Sequence, residues 1–444
     1  MFSKLDTEKF EIVAIKYRAY PEGASQYKFF AQGFGNNRKT YNLALELQKE
    51  VYEKKKKKLK YSELQNKYLP KWKEEFPYLR DTPSQTLQVS LQNLEQAYRN
   101  FFKGKASLPV FKSRYDRQSI CFPQGELCEV KELHTDSKYH TIKLPCLDKP
   151  LKFVCHRKPP IGAKIRRIFV SKDAHNEYFL TITYGIPKKK IAPIDTGSKD
   201  LRTVGIDMGV TNTLALSDGS FFHMPVERIL KLEKEIARQQ RRVACEREAI
   251  EKEEIKRIKK LIKLGKRKRL PKKVKIEENA RCLKIRKVIK KLHRQIVRIR
   301  EDFAHKITRH IVNNHDVVVI EDLKLTKMTK SAKGTKKKPG KNVAQKADLN
   351  RKLLRASLGR IKTYLSYKLE KEKKLLIKVP PHNTSRKCRK CGFISATNRQ
   401  SQSEFCCQKC GHNENADTQA SKNILALGME SLGLSLEAPA RTSV

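Results

Sequence analysis

Four cysteines near the carboxyl end of the sequence constrain the fold more than any other feature. Cys388, Cys391, Cys407 and Cys410 follow the pattern C-x2-C-x15-C-x2-C. Two close pairs of thiolates separated by a loop can surround one tetrahedral ion, which is the arrangement of structural zinc sites. Because protein ligands fill all four positions, we expect the zinc ion to hold the fold and to take no part in chemistry.

Cys406 stands beside Cys407 and offers an alternative ligand. Cys407 is preferred because its pair is followed by Gly411, just as the first pair is followed by Gly392. The six remaining cysteines are scattered along the chain and are interpreted as core or incidental thiols. We find no signal peptide and no run of about 18 uncharged apolar residues. The sequence therefore predicts a cytoplasmic protein, associated with the nucleoid if prokaryotic, in which disulfides do not form.

Positive charge dominates the composition. The 444 residues include 98 Lys and Arg against 47 Asp and Glu, which gives a formal net charge of +51. Self-repulsion on this scale opposes compaction, and a polyanion relieves it because each neutralised phosphate releases counterions. The basic residues are spread through the chain, and no basic run flanks a long apolar anchor, which argues against a membrane surface. Nucleic acid is therefore the expected partner.

Changes in sequence texture predict a multidomain α+β fold. Short strand-like runs split by Pro, Gly and polar turns fill residues 106–197, as in a small β-barrel or curled sheet. The alternating run at 8–20 is expected to join them, so that the helical block at 38–105 is an insertion. The predicted regions are the two parts of the β-barrel at 1–37 and 106–197, the helical domain at 38–105, an α/β domain at 198–385, a zinc-binding insert at 386–412, a last helix at 413–430 and a disordered tail at 431–444.

A long helical hairpin is predicted at about 226–314, with a break near the sequence LGKRKRLPKK. The apolar stripe of its second half consists of Ile285, Ile289, Leu292, Ile296, Ile299, Phe303 and Ile311. Such a stripe is typical of a core-facing helix whose Lys and Arg faces are solvated. Given the net charge, we expect part of the basic face to lie along a nucleic-acid backbone. Beyond the hairpin, the sequence predicts a mobile basic loop at 327–346 and one amphipathic helix at 349–372.

Three carboxylates stand where an apolar strand ends or a helix begins. Asp207 ends the run TVGID, Glu321 ends DVVVIE, and Asp417 opens the helix DTQASKNIL. Carboxylates at the edge of an α/β sheet can bind two Mg²⁺ ions, which clamp the attacking and leaving oxygens of a phosphodiester. Each also has a plainer interpretation: Asp207 as a turn residue, Glu321 as a strand-end charge with Asp322 just as plausible, and Asp417 as a helix N-cap. Together, in this order, they favour a ribonuclease-H-like nuclease.

These motifs resemble the TnpB family of insertion-sequence-encoded RNA-guided nucleases and the related miniature type V CRISPR effectors. The segments that carry the resemblance are GIDMGVTNTLALSDG, VVVIEDL, TSRKCRKCG, CCQKCG and NADTQASKNI. Two further segments, LQNLEQAYRNFFKGKASLPVFKSRYDRQSICFPQ and LHRQIVRIREDFAHKITRHIV, are similar to the family's helix-to-barrel passage and to its helix before the catalytic Glu. The resemblance covers nearly the whole chain, and its C-terminal motifs are the most specific.

The resemblance implies a wedge-like N-terminal β-barrel with an inserted helical recognition domain, followed by an RNase-H-like α/β RuvC nuclease domain with a zinc-ribbon-like insert. It implies that Asp207, Glu321 and Asp417 are the catalytic carboxylates and hold Mg²⁺. The implied partners are a guide RNA from the protein's own locus and a double-stranded DNA target next to a short duplex motif. The stretch around 246–280 is longer and more charged than the family pattern, which leaves the path of RNA over it open.

Two other functions remain as alternatives. One is an RNA-independent transposase or recombinase, which is weakened by the lack of a defensible Tyr or Ser nucleophile motif. The other is an RNA-guided DNA-binding repressor without cleavage, which the three intact carboxylates argue against. The expected activity is therefore metal-dependent, RNA-guided hydrolysis of DNA phosphodiesters at a single site.

Overall fold

The computed structural model describes residues 10–56, 58–132, 138–187, 201–266, 269–271, 276–335 and 338–433. The chain divides into two compact units, one ending at residue 189 and one beginning at residue 190. Within the described ranges, no helix combines the length and the apolar character that crossing a bilayer requires. The tail predicted at 431–444 lies outside the described residues from 434 onward.

A seven-stranded antiparallel sheet organises the first unit. Its strands are β1 Phe10–Tyr20, β2 Gln118–Phe122, β3 Val130–Glu132, β4 Tyr139–Ile142, β5 Leu151–Val154, β6 Lys164–Lys172 and β7 Tyr178–Pro187. Their order across the sheet is β2-β6-β7-β1-β5-β4-β3. β1 lies at the centre between β7 and β5, so the N-terminal strand does join the later ones. Its alternate residues Ile15, Tyr17 and Ala19 are buried, as the period of a strand requires.

The predicted β-barrel is wrong in one respect, because this sheet is open within the described residues. The edge strands β2 and β3 follow each other in the chain, yet no hydrogen-bonded ladder joins them. The connection, residues 123–129, would span at most about 28 Å if fully extended, and its 3-10 turn makes it shorter, whereas seven flat strands would be about 29 Å wide. The sheet must therefore curl. The 3-10 turn Gly125–Leu127 packs on β6 beside β2, and it leads the chain past the edge instead of into a closing strand pair.

The helices of the first unit are α1 Gly23–Lys55, α2 Tyr61–Glu63, which continues through a π-turn at Leu64–Tyr68 into α3 Leu69–Glu75, and α4 Ser84–Phe102. α1 begins well before the helical start expected at residue 38. The reason is that its first turns belong to the core of the sheet, where Phe30 and Phe34 are buried. Further along, Tyr41 and Leu45 pack with the other helices in a separate core.

A five-stranded mixed sheet organises the second unit. Its strands are β8 Thr203–Asp207, β9 Leu214–Leu216, β10 Phe221–Phe222, β11 Val317–Glu321 and β12 Leu375–Val379, in the order β10-β9-β8-β11-β12. β8, β11 and β12 are parallel, whereas β9 and β10 form antiparallel pairs. After β8 the chain places β9 and β10 on one side of β8, and it then crosses over to place β11 and β12 on the other side. The boundary between β8 and β11 is therefore a topological switch point.

Helices cover both faces of this sheet. The helices of this unit are α5 Val226–Lys263, α6 Ala280–Asn314, α7 Leu325–Met328, α8 Val343–Ala356, α9 Leu358–Lys371 and α10 Ala416–Ser431, and a short hairpin of β13 Glu404–Cys406 and β14 Asn413–Asn415 precedes α10. α6 and α9 pack on one face and α10 on the other. α5 and α6 form the predicted hairpin. The helix predicted at 349–372 is instead two helices, because Ser357 has a left-handed φ of 54°. The break lets both Leu353 and Leu365 reach the core.

Candidate active site and cysteine site

Two of the predicted carboxylates lie side by side at the carboxyl ends of parallel strands. Asp207 is the last residue of β8, and Glu321 is the last residue of β11. Ile206 and Ile320 are paired across the two strands, so the carboxylates come next in register and leave the sheet on the same face. This edge coincides with the topological switch point, where clefts form in α/β sheets.

Helix α10 brings the third carboxylate to this edge, because two glycines allow the helix to approach the sheet closely. A Cβ atom at Gly205 would lie 2.1 Å from the carbonyl oxygen of Ser421, and one at Gly428 would lie 2.4 Å from the side chain of Val319. Both glycines therefore keep open the space that the contact needs. With α10 held this close to β8 and β11, the carboxylate of Asp417 in its first turn acts electrostatically on Asp207.

Asp417 does not cap α10, contrary to the plainer interpretation of the sequence. The N-cap is Asn415, whose Oδ1 accepts hydrogen bonds from the backbone N–H groups of Asp417 and Thr418 at 3.0 and 3.2 Å. Asp417 lies in the first turn and is 8% exposed. The positive end of the helix dipole there favours its negative charge. Its carboxylate is thus available to the cluster instead of being used as a cap.

The structure also separates Glu321 from Asp322, which the sequence left as alternatives. Side chains alternate along a strand, so Asp322 leaves the sheet on the face opposite to Glu321. Asp322 Oδ1 accepts a hydrogen bond from Lys362 Nζ of α9 at 2.8 Å. This lysine holds the pKa of Asp322 below its usual value. Glu321, and not Asp322, is the carboxylate beside Asp207.

Negative charge that is only partly neutralised sets the electrostatics of the cluster. Burial first, and then the carboxylates of Glu321 and Asp417, raise the pKa of Asp207 to about 7. Burial also raises the pKa of Glu321, whereas the hydrogen bond from Thr384 Oγ1 to Glu321 Oε1, at 2.6 Å, acts to lower it. Buried carboxylates that repel each other are good ligands for hard cations such as Mg²⁺. The donor set of this cluster is therefore of the kind that a divalent cation prefers, although the three carboxylates are not gathered as tightly as the sulfur atoms of the cysteine site.

Three polar side chains that the sequence did not reveal contact these carboxylates. Asp417 Oδ1 accepts a hydrogen bond from Arg399 Nη2 at 2.9 Å, and Asp417 Oδ2 accepts one from Asn212 Nδ2 at 2.8 Å. Arg399 also lowers the pKa of Asp207, and Thr384 is the partner of Glu321. Asn212 and Thr384 lie inside two of the segments that carry the family resemblance, whereas Arg399 lies in the loop between the cysteine pairs. Membership of a motif is a signal for proximity to the site but not for contact with a particular carboxylate.

The four cysteines form a second and more compact site. Their sulfur atoms all lie within 4.8 Å of one another. The distance between Cys388 Sγ and Cys410 Sγ is 3.7 Å, and that between Cys391 Sγ and Cys407 Sγ is 3.5 Å. Tetrahedral zinc with bonds of about 2.3 Å needs sulfur–sulfur distances of about 3.8 Å. The group is therefore compatible with a structural zinc ion. In the described part of the chain, no other set of three or more potential ligands is gathered in this way.

The two cysteine pairs are built alike. The N–H of Gly392 donates to the carbonyl of Cys388 at 2.9 Å, and the N–H of Gly411 donates to the carbonyl of Cys407 at 2.9 Å. The two glycines have positive φ values of 75° and 68°, which a residue with a Cβ adopts only with strain. Cys406 lies outside this arrangement, at the end of β13. Cys407, as predicted, is the member of the sulfur group.

The cysteine segment is fastened to α10 beside Asp417. Asn423 Nδ2 and Gln419 Nε2, both on α10, donate to the carbonyl of Lys387 at 2.8 and 3.1 Å. Lys387 directly precedes the first cysteine, and Arg399, from the loop between the two pairs, reaches Asp417 itself. The cysteine site thus helps to hold the first turn of α10, and with it one carboxylate of the cluster.

A solved structure shares this arrangement of elements. The cryo-EM structure of a Cas12f1–sgRNA–target DNA complex matches over 94% of this chain and 98% of that chain, with a TM-score of 0.52 and 15% sequence identity. The likeness defines the class of the protein, which is a mixed α+β multidomain fold similar to that of a Cas12 effector.

Sequence comparison then gives the family. InsQ of Escherichia coli K12, named as a candidate RNA-guided DNA endonuclease, is 34% identical over 94% of this chain and 92% of its own length. A candidate RNA-guided DNA endonuclease of Streptomyces pristinaespiralis is 26% identical over 94% of this chain and 89% of its own. The chain belongs to the TnpB family, also called OrfB of the IS605 elements.

Three family models match parts of the chain. They are a "Helix-turn-helix domain" at 12–57, a "Probable transposase" at 254–332 and a "Cas12f1-like, TNB domain" at 359–424. The last of these contains all four cysteines and Asp417. The described residues of the first range, 12–56, form most of β1 and helix α1 instead of two helices joined by a turn.

Proposed function

We propose that this protein is an RNA-guided DNA endonuclease whose single cleavage site is the cluster of Asp207, Glu321 and Asp417. The observation that carries the proposal is the convergence of three carboxylates, far apart in the chain, on one edge of an α/β sheet, where the pKa of Asp207 rises to about 7. The names of the relatives supply the reaction, and the solved Cas12f1 complex, with its RNA and target DNA, suggests the partners. These are a guide RNA and a double-stranded DNA target.

In this proposal the domains have the roles that the resemblance implies. The regions 1–37 and 106–197, which contain the open sheet, are the wedge-like domain, and 38–105 is the helical recognition domain. Residues 198–385 and 413–430 form an RNase-H-like, RuvC-like nuclease domain. The insert at 386–412 holds a structural zinc ion on its four cysteines, and it supports α10 through the contacts of Lys387 and Arg399.

Asp207, Glu321 and Asp417 would hold the catalytic Mg²⁺. Two bound Mg²⁺ ions supply Lewis-acid stabilisation of the attacking and leaving oxygens of a phosphodiester. The chain's own residues prepare this site, since Thr384 orients Glu321, and Asn212 and Arg399 orient Asp417. Because the pKa of Asp207 is about 7, a proton competes with the cation for this carboxylate at lower pH.

The net charge of +51 fits a division of labour between protein and RNA. The basic side chains bind the backbone of the guide and of the guide–target hybrid, while base pairing selects the target sequence. The protein then needs to recognise only a short duplex motif beside the target.

The test is expression of the protein with its native flanking locus and sequencing of the RNA that copurifies. The purified complex is then incubated with a plasmid library, with and without Mg²⁺. We expect a discrete RNA and guided cuts that disappear without Mg²⁺ and in Asp207→Ala. Asp322→Ala is the matched control, since it removes a strand-end carboxylate that faces away from the cluster, and it should cut normally.

Two outcomes would replace the proposal. A discrete RNA with guided binding but no cuts would identify a repressor. Mg²⁺-dependent cutting without any specific RNA would identify an RNA-independent transposase or recombinase, in line with the description of the family model at 254–332.

A further inference from the structure

One exposed face of α5 carries a continuous row of basic residues. Its members are Arg228, Lys231, Lys234, Arg238, Arg241 and Arg242, and Cys245 follows at the far end. All of these residues are exposed, and we call this row the α5 track. They recur every three or four residues, so they follow one side of the helix over about 25 Å. The opposite side of α5 is buried in the hairpin through Ile229, Ile236 and Val243. The track is therefore held on a fixed scaffold.

The track forms one wall of a groove of about 650 Å³, and Arg281 from the start of α6 contributes to its lining. Arg238 is paired with Glu235 at 3.0 Å, and Arg281 is paired with Glu246 at 3.1 Å. By contrast, Lys231, Lys234 and Arg241 have no acidic partner among the described residues. Uncompensated cations on a rigid groove wall repel each other, and phosphates relieve this repulsion.

At the N-terminal end of the track, the surface changes from charged to apolar. The lining of a cavity of about 490 Å³ there includes Phe222, Ile299 and Phe303. Its charged lining residues are Arg228, Arg298 and the ion pair of Lys306 and Asp302. The ring of His310 packs on that of Phe222 at 5.6 Å between centroids. Solvation alone would explain a basic helix face, but it would not explain an open aromatic pocket at the end of that face. Aromatic pockets beside basic residues are the feature on which unpaired bases stack.

We propose that the α5 track binds a single-stranded segment of the guide RNA, with one unpaired base in the aromatic pocket and the neighbouring phosphates along the cations. This inference rests on the proposed function, since it needs a guide RNA. RNA is favoured over target DNA because the guide is bound before any target is met, and the repelling cations need a permanent counter-charge. The unpaired bases of RNA loops are also the usual targets of such pockets.

The main test measures the binding of the copurified guide RNA to the full chain as a function of salt. The track variant is Lys231→Gln/Lys234→Gln/Arg241→Gln. The matched control, Lys256→Gln/Lys259→Gln/Lys260→Gln, removes the same charge from exposed positions near the other end of α5. The slope of log K against log salt should become shallower by about 2 in the track variant, and it should be unchanged in the control. Equal slopes in the two variants would overturn the inference. A variant that failed to fold would lose binding altogether and would not show a selective decrease in the salt slope.

The pocket is tested with Phe222→Leu, which keeps an apolar side chain but removes the stacking ring. We expect guide-RNA affinity to fall about fivefold or more, with an unchanged melting temperature. Unchanged affinity would mean that no RNA base binds in the pocket, and it would overturn that half of the inference.

Cys245 allows the position of the RNA to be found directly, because it is an exposed thiol at the far end of the track. An iron chelate that generates hydroxyl radicals is attached to the protein, and Cys245→Ser is the control. Cuts at one discrete region of the guide RNA, absent in the control, are the expected result. Cuts only in the target DNA would overturn the choice of RNA. If no RNA copurifies at all, the proposed function fails together with this inference, whereas guided cleavage with equal salt slopes rejects the inference alone.

Discussion

The cysteine site and the carboxylate cluster lie next to each other in the second unit, and they are built in opposite ways. The four cysteines come from one short segment, 388–410, and need only two local turns to converge. The carboxylates of Asp207, Glu321 and Asp417 meet only after the sheet and α10 have been assembled. The four thiols form a complete ligand set for one tetrahedral ion. The carboxylates repel one another, and this repulsion adds to burial in raising the pKa of Asp207. In the proposed roles, the cysteine site stabilises the fold, whereas the folded sheet and α10 hold the three carboxylates near one another despite their mutual repulsion.

Loss of one cysteine should have the largest effect, if the first site supports the second. Cys410→Ser removes a thiolate, and zinc binding to such sites is worth roughly 10 kcal/mol or more. We expect the segment 388–410 to lose its structure, the first turn of α10 to exchange its amide hydrogens rapidly, and DNA cleavage to become undetectable. Zinc content, hydrogen exchange and a cleavage assay measure these three effects.

Cys406→Ser is the control for this experiment, because it removes the neighbouring thiol that is not part of the sulfur group. It should keep its zinc and its activity. If Cys410→Ser loses its zinc but retains slow exchange at Asp417 and normal cleavage, the two sites are independent and the comparison between them breaks down.

The second largest effect should come from the cluster itself. Glu321→Gln keeps the shape of the side chain but removes its charge, and we expect the cleavage rate to fall roughly 10³-fold, since a metal-bound transition state loses several kcal/mol. Asp322→Asn removes an adjacent carboxylate whose partner is Lys362 on the other face. It should change the rate by less than about threefold, because a partly exposed ion pair away from the cluster contributes little. Similar losses in the two variants would show that Glu321 has no special role.

The third prediction concerns pH and has a smaller effect. The pKa of Asp207 is about 7 in the folded protein and near 3.8 when unfolded. The folded state therefore binds the proton more tightly, and the stability of the ion-free protein falls as pH rises from about 4 to 7. Asp207→Asn cannot lose stability in this way, because it has no carboxyl group at position 207. The free energy of unfolding of the variant, relative to that of the unchanged protein, should therefore increase by up to about 3 kcal/mol between pH 4.5 and pH 8. Urea unfolding in the presence of a chelator at both pH values measures the difference.

Adding Mg²⁺ sharpens this prediction. At pH 8 the ion should raise the melting temperature of the unchanged protein more than that of Asp207→Asn, because only the unchanged protein has a negative charge at position 207 for the ion to neutralise. A stability difference that is the same at both pH values would mean that Asp207 is not held near other negative charges.

The contrast between the two sites also explains what the sequence could predict. Spacing alone identified the cysteine group, and Gly411 separated Cys407 from Cys406, because both signals are local. The strand ends at Asp207 and Glu321 and the helical hairpin were likewise visible as patterns of apolar residues. The relation between Glu321 and Asp322 required the register of β11, and the cap at Asn415 required the geometry of one turn. Both were open or wrong before the structure was known.

What the sequence missed depends on contacts between distant segments. Asn212 and Thr384 lie within recognisable motifs and Arg399 lies in a polar loop, but only the assembled site shows which carboxylate each of them contacts. The open edge of the first sheet is a similar case. Short strands predict a curled sheet, but whether β2 and β3 close it depends on where a connection of seven residues runs.

The smallest expected effect tests how far the cluster depends on such a hidden contact. Thr384→Val keeps the shape of the side chain but removes the hydroxyl that donates to Glu321 Oε1 at 2.6 Å. The pKa of Glu321, already raised by burial, should rise further, since the bond from Thr384 acts to lower it. We expect cleavage to slow about tenfold, as for other partners of metal ligands, and its pH profile to shift to higher pH. Thr363→Val, which removes an exposed hydroxyl bonded to the carbonyl of Gly359 on α9, is the matched control. A slower rate with an unshifted pH profile would mean that Thr384 acts through packing, and the carboxylate cluster would then be less dependent on neighbouring groups than its contrast with the cysteine site implies.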